Sequence, residues 1–440
     1  MSFTRRDFLA LSGLATIAGT TAVACNNSES LIKTSSQGLL KIGFYSWNEI
    51  TWLPDQIRWL GLNYARIGGA LSDKIMTICS NENIEVLYTA SPLAPRIALP
   101  NDTEFIDGFL HNIDEALTKY GPDGSFWKSN PDLKYVPVAQ VEIGNEPNYG
   151  YGFSGTQTEI AALYAKVLTA AYRHIKQTWP SVTVVGISAG GASATAPAFV
   201  SAVLAELKAA DQLDSFDVVS IHSYMGGSPP DQPITEDWGT WNASQKIDEV
   251  RQLMARYGID KPLWITESGY SISQAEGGRY PDASAKSGIP AFVSPQQQAA
   301  YSIRLNMAAV RFGASRVYHF FVLDTDGGNA GWFDNSADHK ARLVGIAMRQ
   351  LNLLISGATK FEILLDGNST DGAFAYRFTT PRGWTIVAWS ERQTQASIPL
   401  DSATQSTVID MLGSAISTVA TGNVYLANLS EQPIFITQEK

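Results

Sequence analysis

Two glutamates stand where strand-like segments end, and as a pair they could perform acid–base and nucleophilic chemistry. The apolar run Val138–Ile143 is followed by Gly-Asn-Glu-Pro, and the run Leu263–Thr266 is followed directly by Glu267. Proline has no backbone donor and disfavours helix in the residue before it, so Glu146 is held where a strand gives way to a loop. Cleavage of a glycosidic bond requires one protonated carboxyl group and one ionised carboxylate facing each other. The pattern therefore predicts that Glu146 and Glu267 cleave glycosides.

These glutamates belong to a regular alternation of strand-like and helix-like segments. Nearly continuous apolar runs are typical of parallel strands covered by helices. They occur at Leu40–Tyr45, Asn63–Ile67, Ile84–Thr89, Val138–Ile143, Val182–Ile187, Phe216–His222, Leu263–Thr266 and Arg316–Val322. Segments with apolar residues at i, i+3 and i+4 predict helices. They are Asp55–Leu60, Asp73–Ser80, Glu104–Lys119, Thr158–Thr178, Ala198–Ala210, Gln245–Tyr257, Gln296–Phe312 and Arg342–Leu354.

Eight strands and eight helices in about 310 residues match an α/β fold of the (β/α)8, or TIM barrel, type. The predicted barrel spans residues 39–357. The competing prediction is an open doubly wound sheet, which is weakened because no Gly-rich phosphate-binding fingerprint follows the first strand. In a barrel the active site lies at the carboxyl ends of the strands. Glu146 would end the fourth strand and Glu267 the seventh, so both would face the same opening.

The pattern changes after the barrel, between residues 358 and 440. Short strand-like runs are separated there by Asp-Gly, Pro-Arg-Gly and Thr-Gly-Asn turns. The runs are Phe361–Leu365, Phe374–Phe378, Trp384–Trp389, Thr407–Asp410 and Val424–Ala427. Helical periodicity is absent from this sequence, which predicts a C-terminal antiparallel β-sandwich domain.

The barrel region resembles the clan A glycoside hydrolases. The resemblance rests on Asn-Glu-Pro at the end of the fourth strand and on a glutamate at the end of the seventh. The run Val-Glu-Ile-Gly-Asn-Glu-Pro-Asn is most similar to the β-glucuronidase/heparanase-like and xylosidase-like branches, which also carry a small β domain after the barrel. The resemblance implies a retaining mechanism in which Glu146 is the acid/base and Glu267 is the nucleophile.

The same resemblance implies roles for residues at other strand ends. Asn145 matches the position that hydrogen-bonds the 2-hydroxyl group of the sugar. Arg66, at the end of the second strand, matches the arginine that holds the nucleophile, where a cation favours an ionised carboxylate. His222 and Tyr224, after the sixth strand, match the His-x-Tyr pair beside the two carboxylates.

The end of the eighth strand departs from the clan pattern. Many clan members carry tryptophan there, whereas this chain has His-Phe-Phe at 319–321. Phe321 or Trp332 is therefore predicted to form the floor of the subsite for the cleaved sugar. Aromatic faces stack on the apolar faces of sugar rings. The predicted loops around the barrel mouth carry a set of them, namely Trp47, Tyr149, Tyr151, Phe153, Trp238, Trp241, Tyr280 and Trp332.

Three other functions stay open from the sequence. A carbohydrate-binding barrel without turnover and a transglycosylase that remodels exopolysaccharide would share the residues above. The third is a serine esterase, since Gly-Ile-Ser-Ala-Gly at 186–190 fits a nucleophile elbow and Asp324 and His339 follow in the required order. In a nucleophile elbow, however, a helix begins directly after the serine. Here residues 190–195 separate Ser188 from the next predicted helix.

Composition limits the partners of the chain. The net charge is −10, which argues against nucleic acid or an anionic membrane as the main partner. Charged residues make up 17% of the 440 residues, which is typical of a globular chain. The histidines are scattered without the spacing of a metal site, so the sequence predicts neither a metal nor a cofactor. A polysaccharide or oligosaccharide remains the expected partner.

The N-terminus resembles a twin-arginine export signal over residues 1–25. Arg5 and Arg6 precede a mildly apolar run that ends at Ala24, and this run is a poor match to a transmembrane anchor. Ala-Val-Ala at 22–24 fits a cleavage site, and the following Cys25 also fits a lipoprotein signal. Residues 26–38 are polar and predict a tether. The expected location is periplasmic, lipid-anchored or extracellular, with membrane attachment only through a lipid on Cys25.

Overall fold

A computed structural model describes most of the chain. It covers residues 39–191, 195–236, 239–282, 291–325, 328–368, 372–400, 406–419 and 423–439. The predicted export signal, the tether, Cys25 and Trp238 lie outside these ranges. Within them, no helix has the length and apolar character needed to cross a membrane.

Eight parallel strands close into a barrel, which confirms the predicted fold. The strands in chain order are β1 Lys41–Ser46, β2 Tyr64–Ile67, β3 Glu85–Ala90, β4 Gln140–Ile143, β5 Thr183–Ala189, β6 Val218–His222, the hairpin strands β7 Ile234–Glu236 and β8 Gly239–Trp241, then β9 Leu263–Ser268 and β10 Ala314–His319. Around the barrel the order is β1-β10-β9-β6-β5-β4-β3-β2, and β2 pairs with β1 to close the ring. The hairpin stands apart from the barrel, in the connection after β6.

Helices follow the barrel strands as the apolar periodicity predicts. They are α1 Pro54–Leu60, α2 Asp73–Glu82, α3 Asp102–Tyr120, α4 Ser125–Ser129, α5 Gln157–Thr178, α6 Thr195–Ala209, α7 Ala243–Arg256, α8 Pro295–Arg311 and α9 Leu343–Ile355. The short helix α4 was not predicted from the sequence. Three of the helices begin at a reciprocal capping box, at Thr156, Asn242 and Ser294, which fixes where each of them starts.

Inward-facing side chains divide the barrel interior into an apolar layer and a polar layer. Leu87, Val185, Val218, Trp264 and Tyr318 pack together as the apolar layer. Successive side chains alternate between the two faces of a strand, so the next inward position on β6 after Val218 is a serine, Ser220. Polar residues thus collect towards the carboxyl ends of the strands, where a (β/α)8 barrel holds its active site.

The C-terminal region is an antiparallel β structure, as predicted. Its strands are β11 Lys360–Asp366, β12 Ala373–Thr380, β13 Gly383–Ser390, β14 Thr394–Pro399, β15 Ser406–Asp410, β16 Ala415–Val419, β17 Val424–Leu429 and β18 Ile434–Glu439. Six of them form one sheet in the order β11-β12-β13-β18-β15-β16, while β14 and β17 form a second. The sequence predicted five of these strands and missed β14, β16 and β18.

Residues of β12 alternate between two apolar clusters. Ala373 and Ala375 pack with residues of β14 and β17, between the two sheets. Phe374, Tyr376 and Phe378, on the opposite face, join the main core that the barrel helices form. On β12, therefore, small side chains face the space between the two sheets, and large aromatic ones pack against the barrel.

Candidate active site

The barrel mouth brings Glu146 and Glu267 together. One oxygen of each carboxyl group and one ring nitrogen of His222 all lie within 4.8 Å of one another. His222 Nδ1 lies 2.8 Å from Glu146 Oε1 and 3.4 Å from Glu267 Oε2. Retaining glycosidases hold their two carboxyl groups about 5–5.5 Å apart, whereas inverting enzymes hold them about 6.5–9.5 Å apart. The observed spacing fits the retaining arrangement.

Glu146 is held in a rarely populated backbone conformation. Its φ and ψ are 42° and 54°, in the left-handed region, and Gly144 just before it has φ 80°. The Glu146 N–H donates to the carbonyl of Ser188 on β5 at 3.0 Å, and Pro147 starts a short 3-10 turn. Strained non-glycine residues of this kind concentrate at functional sites. The hydrogen bond to Ser188 ties the turn after β4 to the end of β5.

Gly190 forms the wall behind the Glu146 carboxyl group. A Cβ atom added to Gly190 would overlap with the side-chain carboxyl of Glu146. Asn148 fixes this wall, because its amide donates to the Gly190 carbonyl at 2.7 Å and accepts from the Gly190 N–H at 2.9 Å. Both side-chain contacts of Asn148 therefore serve to position a glycine, and the glycine positions the acid.

We expect Gly190→Ala to lower turnover of a glycoside about 100-fold. The added methyl group displaces the Glu146 carboxyl. A small displacement of a reacting group lowers the reaction rate by that order. The φ of Gly190 is outside the left-handed region, so alanine fits the backbone there. The matched control is Gly186→Ala on β5, whose Cβ meets the Leu168 and Phe216 side chains. This control should lower the melting temperature without a comparable loss in kcat. Equal losses of kcat in the two variants would contradict the prediction.

Arg66 joins three strands at the base of the site. Its guanidinium donates to Glu142 Oε2 at 2.6 Å, to Asn145 Oδ1 at 2.7 Å and to Glu267 Oε1. The Arg66 side chain is fully buried, and its guanidinium carbon lies 5.0 Å from the centre of the Tyr45 ring. Burial works against the charge of Arg66, but Glu142 and Glu267 outweigh it and raise the pKa of Arg66.

Glu142 is a buried carboxylate that the sequence analysis missed. It accepts from Arg66 and, at 2.7 Å, from the hydroxyl of Ser220. Burial would raise the pKa of Glu142, yet Arg66 and then His222 outweigh burial and lower it. Glu142 is therefore ionised, and it shares the single charge of Arg66 with Glu267.

Each oxygen of Glu267 accepts a hydrogen bond from a different residue. Arg66 donates to Oε1, and the Tyr224 hydroxyl donates to Oε2 at 2.9 Å. Burial, followed by the negative charges of Glu267 and Glu146, raises the pKa of Tyr224 well above its usual value. Tyr224 thus remains a donor across the physiological range, and each oxygen of Glu267 is held by its own donor.

His222 lies between the two catalytic candidates and is fully buried. Its Nδ1 faces Glu146, while its Nε2 lies 3.4 Å from the Ser188 hydroxyl. Burial would lower the pKa of His222, but the charge of Glu267 and the contact with Glu146 outweigh burial and raise it. When it is protonated, His222 adds a cation beside Glu146 and Glu267 to the charge of Arg66.

The raised pKa of His222 gives a prediction with a defined sign. An unfolded histidine titrates at about 6.5, so the charge of His222 stabilises the fold fully below that pH, and this stabilisation is lost as pH rises through the higher folded-state pKa. We expect the free energy of unfolding of the wild-type protein to fall with pH above about 6.5 and that slope to be absent in His222→Asn. Burial lowers the pKa of His319 to about 3, so His319 makes the free energy of unfolding rise with pH below about 6.5. It does not affect the slope above that pH. Equal slopes in the two proteins would refute a protonated His222.

The remaining predicted site residues lie at different depths. Trp47 is 43% exposed beside Tyr45 at the mouth, whereas Phe321 and Trp332 are each 2% exposed. Phe320 is partly buried, and its ring packs on Tyr45 at 5.1 Å and on Tyr224 at 6.3 Å between ring centres. The structure thus places Phe320, rather than Phe321 or Trp332, against the tyrosine that binds Glu267.

Tyr151 is a mouth aromatic within electrostatic reach of both carboxylates. Its ring is 60% exposed, in the loop after β4. Burial of its hydroxyl and the charges of Glu146 and Glu267 raise the pKa of Tyr151. An exposed aromatic ring in the loop after β4 is suited to contact a bound ligand.

The structure does not assemble the esterase triad that the 186–190 motif allows. Ser188 is fully buried and contacts His222, while Asp324 is paired with Arg342 and His339 contacts the Asp334 carbonyl. The 186–190 motif instead positions Glu146. The Ser188 carbonyl accepts from the Glu146 N–H, and Gly190 packs against the Glu146 carboxyl group. The serine esterase alternative therefore lacks its nucleophile.

No model of a known protein family matches this chain, and no curated protein sequence matches it. Solved structures do share its architecture. A family 39 glycoside hydrolase from the gut symbiont Bacteroides cellulosilyticus WH2 is 19% identical with a TM-score of 0.66, over 91% of this chain and 81% of that one. A glucosidase from Croceicoccus marinus is 15% identical with a TM-score of 0.61, over 92% and 95%. The catalytic domain of GH30 xylanase C from Talaromyces cellulolyticus is 12% identical with a TM-score of 0.59, over 92% and 98%.

At these identities the comparisons establish the fold. The chain has the (β/α)8 barrel and the antiparallel β region found in family 39 and family 30 glycoside hydrolases. The predicted resemblance to clan A is thereby confirmed at the level of architecture.

Proposed function

We propose that this protein is a retaining glycoside hydrolase that acts on a polysaccharide or oligosaccharide. The observation that carries the proposal is the pair Glu146 and Glu267, with oxygens within 4.8 Å of each other and of His222 at the end of a (β/α)8 barrel. In the first step the Glu267 carboxylate attacks the anomeric carbon, while Glu146 gives its proton to the departing glycosidic oxygen. In the second step Glu146 takes a proton from water, which displaces Glu267 and releases the sugar.

The contacts of the two glutamates suit these different roles. Glu267 accepts from Arg66 and Tyr224, so its negative charge is stabilised and its two oxygens are held in place. Glu146 contacts a ring nitrogen of His222. A histidine can gain or lose a proton near neutral pH, so His222 can change its charge when Glu146 changes between acid and base. Formation of the glycosyl ester removes the charge of Glu267, and Arg66 then remains paired with Glu142.

A binding protein without turnover would not need this arrangement. Burying Glu142 and Glu267 beside a single arginine carries a large desolvation cost, and binding a neutral sugar does not require two carboxylates at this spacing. Enzymes retain such unfavourable charge arrangements where the chemistry uses them. The site therefore favours the hydrolase over the carbohydrate-binding alternative.

The substrate class is proposed from the resemblance and from related structures. Solved proteins with this fold include a xylanase, a β-xylosidase and a glucosidase. Xylose- and glucose-containing β-glycosides are therefore the first candidates. Export by the twin-arginine route, supported by Arg5 and Arg6 ahead of an apolar run, would place the enzyme where such polymers occur.

The test is a panel of polysaccharides and aryl glycosides, read by release of reducing sugar and by NMR of the first anomer formed. We expect hydrolysis with retention of anomeric configuration. Inversion would contradict the roles given to the two glutamates. Polymer binding without hydrolysis would favour the non-catalytic alternative, and a new glycoside in place of free sugar would show transglycosylation.

A further inference from the structure

A buried lysine lies behind the two catalytic candidates. Lys246, in the first part of α7, is fully buried, and its ammonium donates to the Gly191 carbonyl at 2.8 Å and to the Tyr224 carbonyl at 3.1 Å. Gly191 belongs to the loop after β5 and Tyr224 to the loop after β6. A buried ammonium is stable only when its donors are satisfied, so Lys246 holds these two loops at a fixed distance from each other.

Both loops lead directly to a catalytic carboxyl group. Gly191 follows Gly190, the wall against which Glu146 packs, and the Tyr224 side chain donates to Glu267. We propose that Lys246 is a positioning residue that sets the separation between Glu146 and Glu267. This inference rests on the proposed function, but it concerns a residue that touches neither carboxylate.

The base of Lys246 is itself held firmly. Asn242 caps α7 through a reciprocal pair with Gln245, and the Asn242 amide also donates to the Asp231 carbonyl at 3.1 Å. The Ala243 N–H donates to the Pro230 carbonyl at 2.9 Å. Because the first turn of α7 is anchored to the loop after β6, the ammonium has a defined position from which to hold the loop after β5.

The chain offers a matched control in Lys261. Its ammonium also donates to backbone carbonyls, at 2.7 Å to Phe216 and at 3.5 Å to Leu213, but it does so before β6 and β9, at the end of the barrel opposite the site. Methionine at either position removes the donors while keeping a similar length. Both variants should lose some stability, and only Lys246→Met should alter the catalytic geometry.

The first experiment compares two leaving groups on the sugar that the wild-type protein hydrolyses. A 4-nitrophenyl glycoside depends on protonation by Glu146 more than a 2,4-dinitrophenyl glycoside does. We expect Lys246→Met to lower kcat/KM about 100-fold for the first and about tenfold for the second, while Lys261→Met changes both less than about threefold. These sizes follow from the cost of misplacing a reacting group by about 1 Å. An equal loss for the two substrates would indicate a lower folded fraction and would overturn the proposal.

The second experiment does not require activity. In a crystal structure of Lys246→Met we expect the distance between the closest oxygens of Glu146 and Glu267 to be longer than in a wild-type crystal structure, or the 2.8 Å contact between His222 and Glu146 to break, with neither change in Lys261→Met. Unchanged spacing would overturn the positioning role. If the wild-type protein hydrolyses no glycoside, the proposed function fails while this measurement still decides the role of Lys246. If the methionine variant does not fold, Lys246→Gln replaces it: the shorter side chain can donate to one of the two carbonyls but does not span both loops, so we expect changes of the same kind and smaller size.

Discussion

Glu267→Ala is expected to lower glycoside turnover about 10⁵-fold, which is the order of loss when a covalent nucleophile is removed. The variant should nevertheless fold. Arg66 keeps its 2.6 Å contact with Glu142, so no buried cation is left without a partner. Removal of Glu267 also leaves the charge of Arg66 to Glu142 alone, where two carboxyl groups shared it before. We therefore expect a melting temperature equal to or above that of the wild-type protein.

Reaction with azide can then distinguish the nucleophile from the acid/base. With an activated glycosyl fluoride of the natural anomeric configuration, Glu267→Ala should form a glycosyl azide of inverted configuration by direct displacement, because alanine leaves room for azide on the face of the sugar that Glu267 occupied. With an activated aryl glycoside, Glu146→Ala should still form the glycosyl ester, and azide should release a product of retained configuration. The exposed Glu104→Ala on α3 is the control and should behave as wild type. If the two variants exchanged their products, the roles of Glu146 and Glu267 would be reversed.

The pattern of strands and helices predicted the barrel, and with it the convergence of the candidate residues that stand at strand ends. In a closed parallel barrel all carboxyl ends converge, so the order of strands alone brings Arg66, Glu146, His222 and Glu267 to one opening. Asn145 and Tyr224 follow because they neighbour these residues in the chain. No knowledge of side-chain packing was needed for this part of the prediction.

Other residues of the site could not be predicted in this way, because their roles depend on which face of a strand they occupy or on contacts with residues distant in the sequence. Glu142 had a signal, since a glutamate inside the apolar run Val138–Ile143 is rarely buried without a partner. Phe320 had none, because the strand ends at His319 and the sequence does not show which of two adjacent phenylalanines turns inward. Lys246 had no signal either, because in the sequence it looks like any lysine of an amphipathic helix. Only the structure shows that it contacts the carbonyls of two loops.

The missed strands of the C-terminal region have a similar cause. The strand β14 alternates small and polar residues, and only Ala396 and Ile398 of its inner face carry apolar side chains that pack between the sheets. The strand β18 follows a Gln-Pro pair close to the end of the chain, yet it lies between β13 and β15 in the larger sheet. Position within a sheet is a tertiary property that a six-residue pattern does not encode.

Arg66→Met is expected to have the largest effect on stability, because it leaves Glu142 and Glu267 buried without their cation. Removing one partner of a buried ion pair costs about 3–5 kcal/mol. The cost should depend on pH with a definite sign. Arg66 lowers the pKa of Glu142, so the stabilisation exists above the unfolded value of about 4.5 and is lost as pH falls through the folded value. Unfolding measured by denaturant should therefore separate the two proteins at pH 7 and bring them together in acid.

The double variant Arg66→Met/Glu142→Gln separates stability from catalysis. The amide is uncharged and nearly the size of the carboxyl group it replaces, so we expect it to recover a large part of the lost stability, as neutral replacement of a whole buried pair does elsewhere. Activity should not return, since Glu267 and Asn145 still lack the donors that Arg66 supplied. Recovery of activity together with stability would mean that Arg66 serves only the fold. A single Arg66→Met variant as stable as wild type would show that Glu142 and Glu267 are not both charged in the native site.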